Sequence, residues 1–290
     1  MSRLTLKFRE YVSEDPNGEE KRSFDIFETY LQPKSDLSTV DASVKLRGVF
    51  TSSGKRFGDK FHHEILAHFI EDLARQVPAE NPSQDRLVSL FKALQAGDSG
   101  AARWSAGEFE EGLNAKLQMD SSVDEDHDEE SRDPEFINWI AFVARLCEAG
   151  IINCTGIAIE AQADGLEIAF EDGSLIYGLG TDMRIQRAAM WVIHSPKLLW
   201  KGIVHTPESS QEKPEGMHYW PIRNGAFYHG ASTGLERWRF WKSRFEEAMV
   251  LEELTPQTKA AAARAALAME RQEGKGMIVG ALVKPDCNTM

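Results

Sequence analysis

Apolar residues recur at three- and four-residue spacing along most of this chain, and that spacing predicts helices. In Phe61–Val77 the residues Phe61, Ile65, Leu66, Phe69, Leu73 and Val77 form one stripe, with Pro78 and Pro82 as the break. Ser83 is placed to cap a second helix with Leu87, Leu90, Phe91 and Leu94 inward and Gly97 past its end; the two should pair antiparallel. Earlier, Phe24, Ile26, Phe27, Tyr30 and Leu31 predict a helix stopped by Pro33, and Ser38 caps a short helix through Leu46. Pro134 opens a helix lined by Phe136, Trp139, Ile140, Val143, Leu146 and Cys147, ended by Gly150. Others follow over Thr155–Glu167, over 183–201 with a kink at Pro196, and over Leu235–Met249. The last starts at Thr255-Pro256 and runs through Gln272.

Two stretches break the helical period. Leu4, Leu6 and Phe8 alternate, which predicts a short extended arm within residues 1–22. Short apolar runs flank Asp172-Gly173, which predicts a β-hairpin over 166–180. The expected fold is therefore all-α: a bundle of about eight helices in one domain over 23–273, carrying that small inserted hairpin. An acidic loop over 120–134 and a loosely held tail over 274–290 complete it.

Charge narrows the partners. Lys plus Arg is 33 against 46 for Asp plus Glu, a net charge of −13, which repels nucleic-acid phosphates and anionic membrane surfaces. A small molecule or a protein is the expected partner. The three cysteines have neither disulfide-framework nor metal spacing, and the N-terminus has no apolar signal region; a cytoplasmic location is expected.

Three stretches carry a resemblance: Ala74–Leu94, Trp139–Leu146, and Leu235–Phe245 followed by a helix ending Ala268-Met269-Glu270. Their order and spacing resemble a large family of uncharacterised proteins from filamentous fungi, known only as a domain of unknown function. The similarity spans roughly Phe24 to Arg271. The resemblance implies an all-helical fold and no general activity; such genes often sit near fungal metabolite pathways, which points to secondary metabolism.

The candidate chemistry lies in the second half. Six of the seven tryptophans fall between Trp139 and Trp241, marking either an aromatic core or an aromatic pocket. Glu160, Asp164 and Glu167 share one helical face: a wet face tolerates their repulsion, whereas a pocket raises one pKa and creates an acid beside a base. His194, near Trp191, is either a proton shuttle or a structural hydrogen bonder. Arg237, Trp238, Arg239 and Trp241 mix cations and indoles, so Arg237 or Arg145 can hold a carboxylate or oxyanion, or simply pack. The loop 218–230, with Trp220, is either a lid or a cover. Glu64, His68 and Asp72 lie four apart without the Glu-x-x-His di-metal pattern, so no metal is expected. No glycine-rich phosphate loop or nucleophile elbow occurs, so no cofactor is expected either.

Two functions stay open. One is a cofactor-independent cyclase, isomerase or lyase on a small metabolite. Glu160 and His194 would be its catalytic pair, and Trp191, Trp220, Arg145, Arg237 and Trp241 its substrate contacts. The other is a non-catalytic helical binding or protein-interaction module.

Overall fold

The computed structural model describes residues 3–9, 18–51, 60–96, 134–170, 179–205 and 227–282. The chain divides into two compact units, Met1–Asn153 and Cys154–Met290. The expected domain over 23–273 runs across both. The first unit contains α1 (Glu19–Leu31), α2 (Thr39–Thr51), α3 (Lys60–Gln76), α4 (Ser83–Gln95) and α5 (Pro134–Glu148). In the second are α6 (Thr155–Leu166), α7 (Thr181–His194), α8 (Pro196–Val204), α9 (Leu235–Ala248) and α10 (Pro256–Leu282). The described residues thus hold ten helices and no strand beyond an isolated bridging residue at Leu179.

In the first unit α5 is buried on nearly every side. Phe136, Ile137, Trp139–Ala144, Leu146 and Cys147 are all inside, so the predicted stripe widens to the whole helix. Each large apolar side chain fully buried there contributes about 1.5–3 kcal/mol, well above a surface ion pair. Gly150 ends the helix as expected, with φ +69° and with Ile151 N–H donating to the Leu146 carbonyl. α3 packs chiefly on α5, not on α4 as the short link suggested. Two side-chain amides, one from α4 and one from α5, close the end of α3. The Gln84 Nε2 donates to the Ala74 and Val77 carbonyls at 3.0 and 2.7 Å, and Asn138 of α5 donates to the Arg75 carbonyl at 2.8 Å. Together they satisfy the open C-terminal end of α3.

Ser38 caps α2 as predicted, accepting from the Asp41 amide. Ser83 does not cap α4; its hydroxyl donates to the Leu31 carbonyl at 2.5 Å and ties α4 to the end of α1. The N-terminal alternation is real, with Leu4 and Leu6 buried, yet its backbone pairs with glutamine side chains and not with a strand.

In the second unit α7 packs on α6 and α10, and the alanine-rich face of α10 (Ala261, Ala262, Ala265, Ala266, Met269) is buried. Pro196 divides the expected 183–201 helix. α7 stops at His194 and Pro196 becomes the first residue of α8, where its missing N–H is not needed. The predicted hairpin is a correction. Leu166 is the last residue of α6, and residues 167–170 follow as bend and turn, because Glu167 turns inward to a buried partner. Its turn, residues 171–178, lies outside the described residues, as do most of the acidic loop, the aromatic loop through Ala226 and the tail from 283. α10 carries the chain helically to Leu282, past Gly274 where the tail was expected.

Gly165 lies where α6 meets α7: an added Cβ would sit 2.7 Å from the Arg184 carbonyl oxygen and 3.0 Å from the Ala188 Cβ. Gly156, on the same helix, has nothing within 4 Å. Gly165→Ala should therefore lower stability by about 1–3 kcal/mol through overpacking. Gly156→Ala should leave it unchanged or raise it by up to about 1 kcal/mol through helix propensity. Urea denaturation of both variants measures the contrast.

Candidate functional site

The α6 carboxylates do not form a wet face. Glu160 is half-buried, Asp164 is more deeply placed, and Glu167, one residue past the helix, is fully buried. Buried arginines meet them. Arg187 of α7 reaches Asp164 at 3.5 Å, and Arg184 lies close enough to act on it. Burial pushes the Asp164 carboxyl up to about 6; Arg187 and Arg184 pull it down, while Glu160 and Glu167 push it up. The 3.5 Å contact is too long to offset the lost hydration, so desolvation wins.

Glu167 is held by α9. Arg237 donates through Nε to Glu167 Oε1 at 2.6 Å and through Nη2 to Oε2 at 3.0 Å, a two-pronged pair in which both side chains are 0% exposed. The Trp241 indole Nε1 donates to the same Oε1 at 2.6 Å, and Arg237 Nη1 donates to the Ser232 carbonyl at 2.6 Å. The Tyr228 and Trp241 rings flank the guanidinium at 5.7 and 5.1 Å. Burial raises the Tyr228 hydroxyl pKa, against the pull of Arg237.

A second arginine, Arg244, closes the end of α6. It donates to the Leu166 and Ile168 carbonyls at 2.9 Å each, between the Phe170 and Phe227 rings at 3.7 and 4.7 Å. The Phe227 amide donates to the Glu167 carbonyl at 2.8 Å. Residues 167–170 and 227–228 are thereby fixed to α9.

These contacts place the predicted site residues. Arg237 does hold a carboxylate, but it is the chain's own Glu167, and Trp241 donates to that same group. Trp191 is fully buried in α7, and Trp238 is buried with its ring edge-on to Trp200 at 5.1 Å. Trp139 belongs to the first unit, stacked on Phe142. The described tryptophans of the expected site are thus core, and Trp220 lies outside the described residues. Glu160 and His194 are half-buried on the packed pair α6 and α7. Arg145 is in the first unit, where it donates to Asp85, the Ala141 carbonyl and the Ala79 carbonyl, at 2.9, 3.0 and 2.6 Å. It staples α5 to the start of α4.

Helical periodicity does not reveal a groove of about 470 Å³ in the first unit, lined by Tyr30, Ser35–Thr39, Asp85, Arg86 and Ser89. The Arg86 guanidinium stacks on Tyr30 at 4.5 Å and donates through Nη2 to the Leu37 carbonyl. Its Nε is buried and has no partner among the described residues. Arg86 sits outside the apolar stripe of α4, so helical periodicity gave no signal for it.

A family model described as "Protein of unknown function (DUF3632)" matches residues 68–245, more than half of the chain. The matched span includes Glu167, Arg237 and Trp241. No curated protein and no solved structure matches the chain.

The buried pair makes a sharp stability prediction. Arg237→Met leaves the buried Glu167 without its counter-charge and should cost about 3–5 kcal/mol, whereas Arg237→Met with Glu167→Leu should recover most of it. Chemical denaturation of the single and double variants decides, and an undiminished loss in the double variant contradicts the pairing.

Asp164 makes a pH prediction. Its folded pKa is raised from 3.8 to about 6, so its contribution is fully present below about pH 4 and lost as pH rises through 6. Relative to Asp164→Asn, the unmodified protein should lose roughly 2–3 kcal/mol between pH 4 and 7.5, whatever the constant offset between the two. Denaturant midpoints across that range measure it.

Proposed function

From the premise that the chain belongs to the DUF3632 family of proteins of unknown function, we propose that it is a non-catalytic helical binding module whose ligand site is the Tyr30–Arg86 groove. The observation that carries this reading is the fate of the polar groups in the second unit. Glu167, Arg237 and Trp241 satisfy one another at 0% exposure and offer no group to a substrate. In the first unit, by contrast, Arg86 lines an open groove, stacked on Tyr30 and anchored through Nη2 on the Leu37 carbonyl.

The groove's chemistry suggests a ligand class. The guanidinium fork suits a carboxylate. Asp36 suits hydroxyl groups, as do the lone pairs left on the Ser35, Ser38, Thr39 and Ser89 hydroxyls, which are already bonded within the protein. Asp85, also in the lining, is drawn to Arg145 at 2.9 Å, which reduces its repulsion of an acid. A small hydroxylated carboxylic acid fits this set.

The second reading, a cofactor-independent enzyme on a fungal metabolite, is favoured by Asp164 alone. A carboxyl near 6, beside Glu160 on α6, exchanges protons at neutral pH. His194 on the neighbouring helix would be its partner.

One experiment separates the readings. The purified protein is incubated with a panel of hydroxy acids and with a metabolite extract, then followed by titration calorimetry and mass spectrometry. The binding module retains an acid unchanged, with Arg86→Met weakening it at least tenfold. The enzyme instead releases a product that disappears in Asp164→Asn, Glu160→Gln or His194→Ala. Binding unaffected by Arg86→Met sinks the groove assignment.

A further inference from the structure

Residues 3–9 lie extended along the first unit, and they are recognised through their backbone. The Leu4 amide donates to Gln32 Oε1 at 3.0 Å, and Gln32 Nε2 donates back to the Leu4 carbonyl at 3.2 Å. The Lys7 amide donates to Gln76 Oε1 at 2.6 Å, and Gln76 Nε2 donates back to the Lys7 carbonyl at 3.0 Å. Each glutamine thus takes both main-chain groups of one residue, as a neighbouring strand would. Such bonds do not depend on the arm's side chains.

Both glutamines are also bonded to their own helices. Gln32 Nε2 donates to the Glu28 carbonyl at 3.1 Å, and Gln76 Nε2 donates to Asp72 Oδ2 at 2.8 Å. These bonds do not involve the arm, so the receptor groups are oriented without it, which lowers the ordering cost of binding.

Side chains set the pattern that fits. Leu4 and Leu6 point inward and are about nine-tenths buried, while Thr5 and Lys7 are exposed. Phe8 packs on Phe24 and Phe69, with ring centroids 5.4 and 6.3 Å away. Arg9 bridges Asp72 at 3.0 Å and Glu135 at 2.9 Å while remaining 45% exposed. Asp72 is 7% exposed, and burial raises its pKa against the pull of Arg9 and His68, so a cation is wanted at that end.

We infer that this channel along α1 and α3 is a peptide-recognition site for an extended partner segment. Its preferred pattern is two apolar residues two apart, an aromatic residue two further on, and a basic residue next. The arm of the chain is the resident occupant. An intramolecular occupant has a high effective concentration, so a partner segment enters only when the arm is displaced. The inference goes beyond the binding reading and does not depend on it, since the channel and the Arg86 groove have separate ligands.

The test uses the full chain with a fluorescent peptide copying residues 2–10. In wild type the arm should block it. In Leu4→Asp/Leu6→Asp the arm no longer docks, and the peptide should bind at least tenfold more tightly than to wild type. Adding Gln32→Leu and Gln76→Leu should remove that gain, as should replacing the arginine of the peptide by glutamate. Should the doubly aspartate-substituted chain fail to fold, Arg9→Glu, at an exposed position, replaces it with the same criterion. A folded variant, with unchanged helical circular dichroism, that does not bind the peptide overturns the proposal. A wild type that dimerises by exchanging arms overturns the assignment to a partner protein. Hydroxy-acid binding, read separately, is expected to be unchanged in these variants.

Discussion

A carboxylate removed entirely from water sets the terms for the second unit. Left alone, the buried Glu167 charge would cost several kcal/mol, so its environment must bring donors to it. Arg237 supplies two and Trp241 a third, all from α9, about 70 residues away in sequence. That requirement fixes the end of α6 against α9. Arg244, one turn beyond Trp241, then finds the Leu166 and Ile168 carbonyls within reach. The pair is thus a specification device more than a source of stability: correctly formed it roughly breaks even, and wrongly formed it is prohibitive.

The first unit solves its polar problems with neutral amides. Gln84 and Asn138 finish α3, and Gln32 and Gln76 hold the arm. An amide offers a donor and an acceptor without an ionic desolvation cost, so it can stand in for a strand or a cap inside an otherwise helical body. Charged groups take part as well: Arg145 holds the Ala141 and Ala79 carbonyls, and Arg9 of the arm meets the buried Asp72. Beside Tyr30 an arginine, Arg86, is held by stacking and by the Leu37 carbonyl.

The sequence by itself determined the helices and most of their faces, because burial against a core imposes a 3.6-residue period that is written locally. It also located real punctuation: Gly150, Pro134, Ser38 and Thr255-Pro256 act where the sequence placed them. Local rules failed at Pro196, which divides a helix that periodicity ran through, and at Glu167, where hairpin-like alternation gave way to a buried charge. Only the tertiary structure decided which polar residues lie inside. Glu167 reads as a surface residue until Arg237 arrives, and Arg237 reads as a ligand-holding cation until Glu167 occupies it. Pairings across 60 to 80 positions have no local periodicity, so no window of sequence contains both partners. The same holds for the arm. Its alternation is visible in the chain, but the glutamines that receive it are 28 and 69 residues away.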